Sequence, residues 1–174
     1  AFLLVELINR INQNKIGNEP NVIIGASMGG QVVRYALSYM EQNNMPHCVR
    51  LNVSLDSPWK GAHIPIAIQC FLEYMSYQAG NSTALSQYLS LHKPAPKQLL
   101  NYHIWRANQD FRSNTTNSSV YRTYNFQNQL APNPERTQLM QELQSLGSYP
   151  KNCRNIAILN GNNTGSPEYS TGSN

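Results

Sequence analysis

At 174 residues the chain is long enough for one hydrophobic core, and 40% hydrophobic against 13% charged residues excludes a disordered polyelectrolyte. The net charge of +4 is modest, and its Lys and Arg are scattered with no basic run interleaving aromatics, so no nucleic-acid partner is expected. No apolar stretch approaches the roughly 20 residues of a membrane span, and Ala1-Phe2-Leu3-Leu4-Val5 lacks the basic lead and cleavage site of a signal peptide.

Leu4, Leu7, Ile8 and Ile11 recur at i, i+3, i+4 and i+7, which predicts a helix burying that face and ending before Gly17-Asn18-Glu19-Pro20. Asn21-Val22-Ile23-Ile24 reads as a buried strand. Gln31 to about Gln42 reads as a helix with Val32, Val33, Ala36, Leu37 and Met40 as its apolar residues. After a turn at Asn43-Asn44-Met45-Pro46, residues 49 to 56 alternate Val49, Leu51, Val53 and Leu55 with polar residues and predict a second strand. This order is the alternation of a parallel sheet covered by helices, so the fold class is α/β. Ser57-Pro58-Trp59-Lys60-Gly61-Ala62 is then a loop at the C-terminal edge of the sheet, where such sheets carry their ligand crevice.

Residues 64 to 150 differ in character. Ile64 to Tyr77 and Ser82 to Leu91 read as helices, Pro94-Ala95-Pro96 as an interruption, and Lys97 to Trp105 as a resumed helix. Arg112 to Gln129 reads as loop with weak strand character. Asn133-Pro134 supplies an N-cap and a first-turn proline for a helix with Leu139, Met140, Leu143 and Leu146 on its apolar face, ended by Gly147. Asn155 to Gly161 predicts a third strand, followed by a polar tail. The organisation expected is a core segment at 1–63, a helical cap or lid insertion at 64–150, and a strand with its tail at 151–174.

The chemistry is concentrated in Gly25-Ala26-Ser27-Met28-Gly29, followed by Gly30, between the first strand and its helix. A G-x-S-x-G in that setting is the signature of a nucleophile elbow, a sharp turn that lifts a serine hydroxyl above the sheet edge. The turn places the serine in a sparsely allowed backbone conformation at about 1–3 kcal/mol, and a Cβ at Gly25 or Gly29 is expected to strike the neighbouring strand or helix. The plainer alternative is Ser27 as an ordinary N-cap. Two successive glycines argue against mere capping, because each weakens a first turn by nearly 1 kcal/mol unless close packing requires it.

GASMGGQVVRYAL followed by LNVSLDSPWKGAHIP resembles lipase- and esterase-like α/β-hydrolases, in particular secreted or surface bacterial members whose second motif reads Asp-Ser-Pro-aromatic/His-x-Gly-Ala. The likeness covers near half of the chain, including more weakly Tyr149-Pro150-Lys151-Asn152-Cys153. It implies a partial α/β-hydrolase fold, hydrolysis of small-molecule or lipid carboxylic esters by a Ser–acid–His triad, and a secreted or cell-surface location. Ser27 is then the nucleophile, and the Met28 N–H is one oxyanion donor, with Gly25, Gly29 and Gly30 shaping the elbow. A full member places several strands and helices before the elbow strand and its histidine beyond one more strand. The resemblance therefore implies a segment of the hydrolase core with an exposed sheet edge, expected to have no esterase turnover by itself.

Among the remaining residues, Asp56 is a candidate acid at the end of the strand beside the elbow strand, with a structural role in its loop as the alternative. Asp110 reads as a solvated charge and Glu168 as a remote second acid. His47 is expected at the surface. His63 and Trp59 are candidate pocket walls, and Ile64, Ile66, Phe71 and Tyr74 either line an acyl pocket or form core. No catalytic histidine is assigned among His47, His63, His92 and His103. Cys48, Cys70 and Cys153 follow no metal or C-x-x-C spacing, leaving one disulfide or three thiols. Sequons at Asn52, Asn81, Asn114, Asn117 and Asn162 leave the compartment open. No metal or cofactor motif is present, and oligomeric state is not legible. The functional alternatives are an acyltransferase using the same elbow, or a binding or structural module that kept the fold and lost catalysis.

Overall fold

A computed structural model describes residues 1–104 and 132–160. The chain divides into two compact units, Ala1–Trp59 with Leu146–Asn174, and Lys60–Ser145. The predicted loop at Arg112 to Gln129 and the polar tail lie outside the described residues.

The first unit is an α/β layer built from α1 (Phe2–Asn14), β1 (Asn21–Ala26), α2 (Met28–Gln42), β2 (Val49–Leu55) and β3 (Arg154–Ile158). The strands lie in the order β1-β2-β3 and both pairings are parallel, with Ile24 opposite Val53 and Val53 opposite Ile156. Val5 and Ile8 of α1 close against Val33, Ala36, Leu37 and Met40 of α2 and against Val49, with Ile23 packed beside them. Fully burying side chains of this kind stabilises a fold by roughly 1.5–3 kcal/mol each, so this contact anchors the elbow helix. The predicted face of α1 is only partly used: Leu7 and Ile11 are exposed, and Val5 takes the buried position instead.

β2 departs from its expected pattern. Its fully buried residues are Val49, Asn52 and Ser54, whereas Leu51, Val53 and Leu55 are half-buried. The register shifts between Asn21 and Val22, and a one-residue slip sends side chains to the opposite face. Val49 thus joins the helix-side core, while Leu51, Val53 and Leu55 share the other face with exposed Val22, Ile24 and Ile158. On the helix side Asn52 donates to the Asn155 side chain at 2.9 Å, which cross-links β2 and β3. Asn52 is fully buried, so folding hides that sequon. Among the described residues β1 and β3 each pair only with β2, leaving both outer edges unpaired.

The second unit holds α3 (Ile66–Tyr77), α4 (Ser82–Leu91), α5 (Pro94–Leu99) and α6 (Pro134–Ser145). Pro94 does not interrupt a helix but opens α5, because a proline at the first helical position gives up an N–H that has no intrahelical partner. Leu100 is already extended, so the helix does not run on towards Trp105. Asn81 caps α4 by accepting from the Ala84 N–H at 2.9 Å, and Asn133 caps α6 through the Glu135 N–H at 3.0 Å. Gln69 is fully buried and satisfied: its amide donates to Ile64 and Tyr102 carbonyls and accepts from the Ile104 N–H. Arg136, also buried, donates to the carbonyls of Lys60, Gln98 and Leu99. Ile66 belongs to the core with Cys70 and Ile104, whereas Phe71 and Tyr74 are exposed.

No helix among the described residues is long and apolar enough to cross a membrane.

Candidate active site

β1 ends at Ala26, and α2 begins two residues later at Met28, leaving Ser27 as the whole turn between them. Its backbone sits at φ 49° and ψ −125°, a combination that a residue with a Cβ rarely adopts. The Ser27 N–H still donates to the Leu55 carbonyl at 2.9 Å, one step beyond the last β1–β2 pair. Its carbonyl accepts from the Gly30 N–H at 3.1 Å. The side chain makes no capping hydrogen bond, and the residue is exposed. The N-cap alternative therefore does not describe this serine.

The glycines divide the work differently from the sequence expectation. A Cβ on Gly25 would lie 2.6 Å from the Gly30 nitrogen and 2.7 Å from the Gly29 carbonyl carbon. A Cβ on Gly30 would lie 2.6 Å from the Ser57 Cβ and collide with its Oγ. Gly29 is the correction: a Cβ there would meet nothing within 4 Å, so no neighbouring strand or helix blocks it. Gly25 and Gly30 are thus the pair that lets the helix sit down on its strand. Met28 occupies the first position of α2, where the N–H lacks an intrahelical acceptor and the helix dipole favours negative charge.

One strand over, about 4.8 Å in the pairing direction, β2 ends in the same manner. Asp56 has φ 44°, and its N–H donates to the Ile158 carbonyl at 2.7 Å. Its side chain is exposed and accepts no hydrogen bond from the described residues. Ser27 and Asp56 therefore follow register-paired residues at the C-terminal edge of the sheet. Two buried side chains of α2 hold the loop beyond Asp56. Gln31 donates to the Pro58 carbonyl at 2.6 Å, and Arg34 donates to the Trp59 carbonyl at 3.0 Å while its guanidinium lies 5.0 Å from the Trp59 ring centroid. Burial pulls the Arg34 pKa below its usual value. Counting only apolar residues along α2 hides both side chains; their i, i+3 spacing within its buried stripe was the available signal.

The histidines separate clearly. His47 is buried rather than at the surface, because Nδ1 accepts the Val49 N–H at 3.0 Å and Nε2 faces Glu41 Oε1 at 3.2 Å. His103 is fully buried against the Leu91 carbonyl, and desolvation lowers its pKa. His92 meets the Tyr88 and His103 rings edge-to-face. His63 is exposed in the second unit, where its Nε2 lies 2.8 Å from the Asn101 amide nitrogen. Trp59 is half-buried with Nε1 shielded from solvent. Cys48, Cys70 and Cys153 are free thiols, and burial, assisted by neighbouring glutamates, pushes the Cys70 and Cys153 thiols up to about 11. Asp110 and Glu168 lie outside the described residues.

Comparison of the chain with protein-family models, with curated proteins and with solved structures finds no match.

Proposed function

We propose that the protein is a serine hydrolase of carboxylic esters, lipase- or esterase-like, acting through an acyl-enzyme on Ser27. The observation that carries this reading is the strained, solvent-facing backbone of Ser27 between a parallel strand and the helix packed on it by Gly25 and Gly30. Backbone strain at a residue that caps nothing suggests a chemical role for its side chain. In the reaction, Ser27 Oγ attacks the ester carbonyl carbon while a base takes its proton, and the oxyanion forms beside the Met28 N–H. Collapse expels the alcohol, which takes the proton back, and water then releases the acid by the same two steps. Met28 N–H is one donor of an oxyanion hole, and a missing partner donor lowers such rates by roughly 10²–10³.

His47 is a poor base, since both ring nitrogens are engaged, by the Val49 N–H and by Glu41. Asp56 remains the candidate acid, with its bare carboxylate at the nucleophile's own edge of the sheet. The Lys60–Ser145 unit is read as the lid insertion of an α/β-hydrolase fold. An acyltransferase would use the same elbow and differ only in the acceptor that replaces water.

Covalent capture by a fluorophosphonate tests the nucleophile directly. The wild-type protein is expected to gain one phosphonyl group, and Ser27→Ala none. Equal labelling of the two would remove Ser27 as nucleophile. Absence of labelling in both would favour a module that retains the fold without catalysis.

A further inference from the structure

The loop that follows β2 is not held by the sheet ladder, yet the elbow helix grips it at successive carbonyls. Gln31 and Arg34 are both buried, within the first two turns of α2. Gln31 Nε2 donates to the Pro58 carbonyl at 2.6 Å. Arg34 Nη1 donates to the Trp59 carbonyl at 3.0 Å, and its Nε to the Ser148 carbonyl at 2.5 Å. A longer 3.4 Å contact from Arg34 Nη1 to Gln31 Oε1 joins the two. Gly30, the residue before them, leaves room only for Ser57. Helix side chains lean towards the helix N-terminus, so the donors reach back to the end that carries Ser27.

We infer that Gln31 and Arg34 are positioning residues that hold the Asp56–Trp59 loop at a fixed height beside Ser27 and thereby set which acyl groups fit against Trp59. The inference rests on the ester-hydrolase reading of Ser27. A buried guanidinium whose described partners are neutral oxygens is weak support for stability, because desolvation offsets most of what its hydrogen bonds return. Its distinctive contribution is geometric. A planar fork fixes two carbonyls in direction as well as distance, and stacking fixes the plane of the Trp59 ring against it. The nucleophile and the loop are then mounted on one helix, so the gap between them does not breathe when substrate enters. Loosening the loop leaves Ser27 on its own strand–helix turn, so the change falls on discrimination between acyl groups rather than on attack itself.

The test uses two fluorophosphonates, one with a short and one with a dodecyl chain, on wild type, Gln31→Met, Arg34→Met and Arg34→Lys. Capture rates are expressed per folded molecule. Both Met variants are expected to capture the short reagent within about twofold of wild type and the dodecyl reagent about tenfold more slowly, a span typical of pocket discrimination. Arg34→Lys, which keeps charge but not the fork, is expected between them. Hydrogen exchange at the Trp59 and Lys60 amides should rise in the Met variants while α2 stays protected. An unchanged ratio of long-chain to short-chain capture, or rates that fall together in step with the folded fraction, overturns the inference and leaves Ser27 intact. A wild type that neither reagent labels overturns the nucleophile reading and this inference with it. Should Arg34→Met fail to fold, Gln31→Met removes one hydrogen bond and no charge, and carries the same comparison.

Discussion

At the C-terminal end of α2, Glu41 commits both carboxylate oxygens to the backbone, accepting from the Lys151 and Asn152 N–H groups at 2.7 and 2.8 Å. His47 beside it is engaged at both ring nitrogens, and Asn12 donates to the His47 carbonyl at 3.0 Å. At the N-terminal end the same helix begins with a serine in a disfavoured conformation whose hydroxyl caps nothing and faces solvent. One end commits the Glu41 carboxylate and ties the segment before β3 to the helix; the other leaves hydrogen-bonding capacity open. The contrast teaches where the molecule ties its groups down and where it leaves them uncommitted. Strain and unsatisfied groups at a rigid helix terminus belong to the second kind.

The largest expected effect on stability lies at the satisfied end. Glu41→Ala removes two charge-assisted hydrogen bonds and the partner of His47, and is expected to lower unfolding free energy by about 2–3 kcal/mol. The magnitude is held down because Lys151 and Asn152 are exposed and water replaces part of the loss. Glu41→Gln keeps one acceptor oxygen and should lose about half as much. Urea denaturation at constant m-value measures both. A Glu41→Ala protein as stable as wild type would show that this end is no anchor, and the comparison would collapse.

The opposite sign is expected at the other end. Ser27→Gly relieves a positive φ that glycine adopts freely, and its own flexibility in the unfolded chain offsets part of the gain. A net stabilisation of about 0.5–1 kcal/mol is expected, together with complete loss of fluorophosphonate capture. A variant that is stabilised and chemically silent is the stability–function exchange expected of a strained nucleophile. Destabilisation by Ser27→Gly would mean that the serine side chain supports the fold after all.

How much of this was legible in the sequence follows from what each signal can carry. The strand–turn–helix at Ser27 was legible because a β-branched run, clustered glycines and an amphipathic helix coincide. The parallel sheet followed from alternation of elements, whereas the place of β3 beside β2 was not legible in the sequence. Apolar periodicity, by contrast, says nothing about polar residues that fold inward. It therefore missed Asn52 and Ser54 on the buried face of β2, Gln31 and Arg34 on α2, and His47, whose burial depends on a glutamate six residues earlier. The slip beside Asn21, which swaps the faces of β2, is set by strand pairing and leaves no mark in the strand's own composition. Asp56 was found as a strand-end carboxylate, but its positive φ, matching that of Ser27 in the adjacent strand, is a property of the turn alone.

Gly29 sharpens the comparison most finely, because Gly25 and Gly30 are constrained and it is not. Gly25 and Gly30 are each blocked by backbone or by Ser57, whereas a Cβ on Gly29 meets nothing within 4 Å. Gly29 lies in the first turn of α2, where it carries the entropic penalty of glycine without a packing reason. Gly29→Ala is therefore expected to raise stability, by at most about 0.5–1 kcal/mol, the ordinary helix-propensity difference. The methyl group would stand at the solvent side of the elbow, so small and large fluorophosphonates distinguish two outcomes. If only large reagents slow, the open space at Gly29 belongs to the substrate path, and glycine is there for access. If neither slows and the protein is stabilised, the strained end of α2 reduces to Gly25, Ser27 and Gly30. A loss of stability on Gly29→Ala would instead mean that the first turn needs glycine for its own conformation, and the division of labour between the three glycines would be wrong.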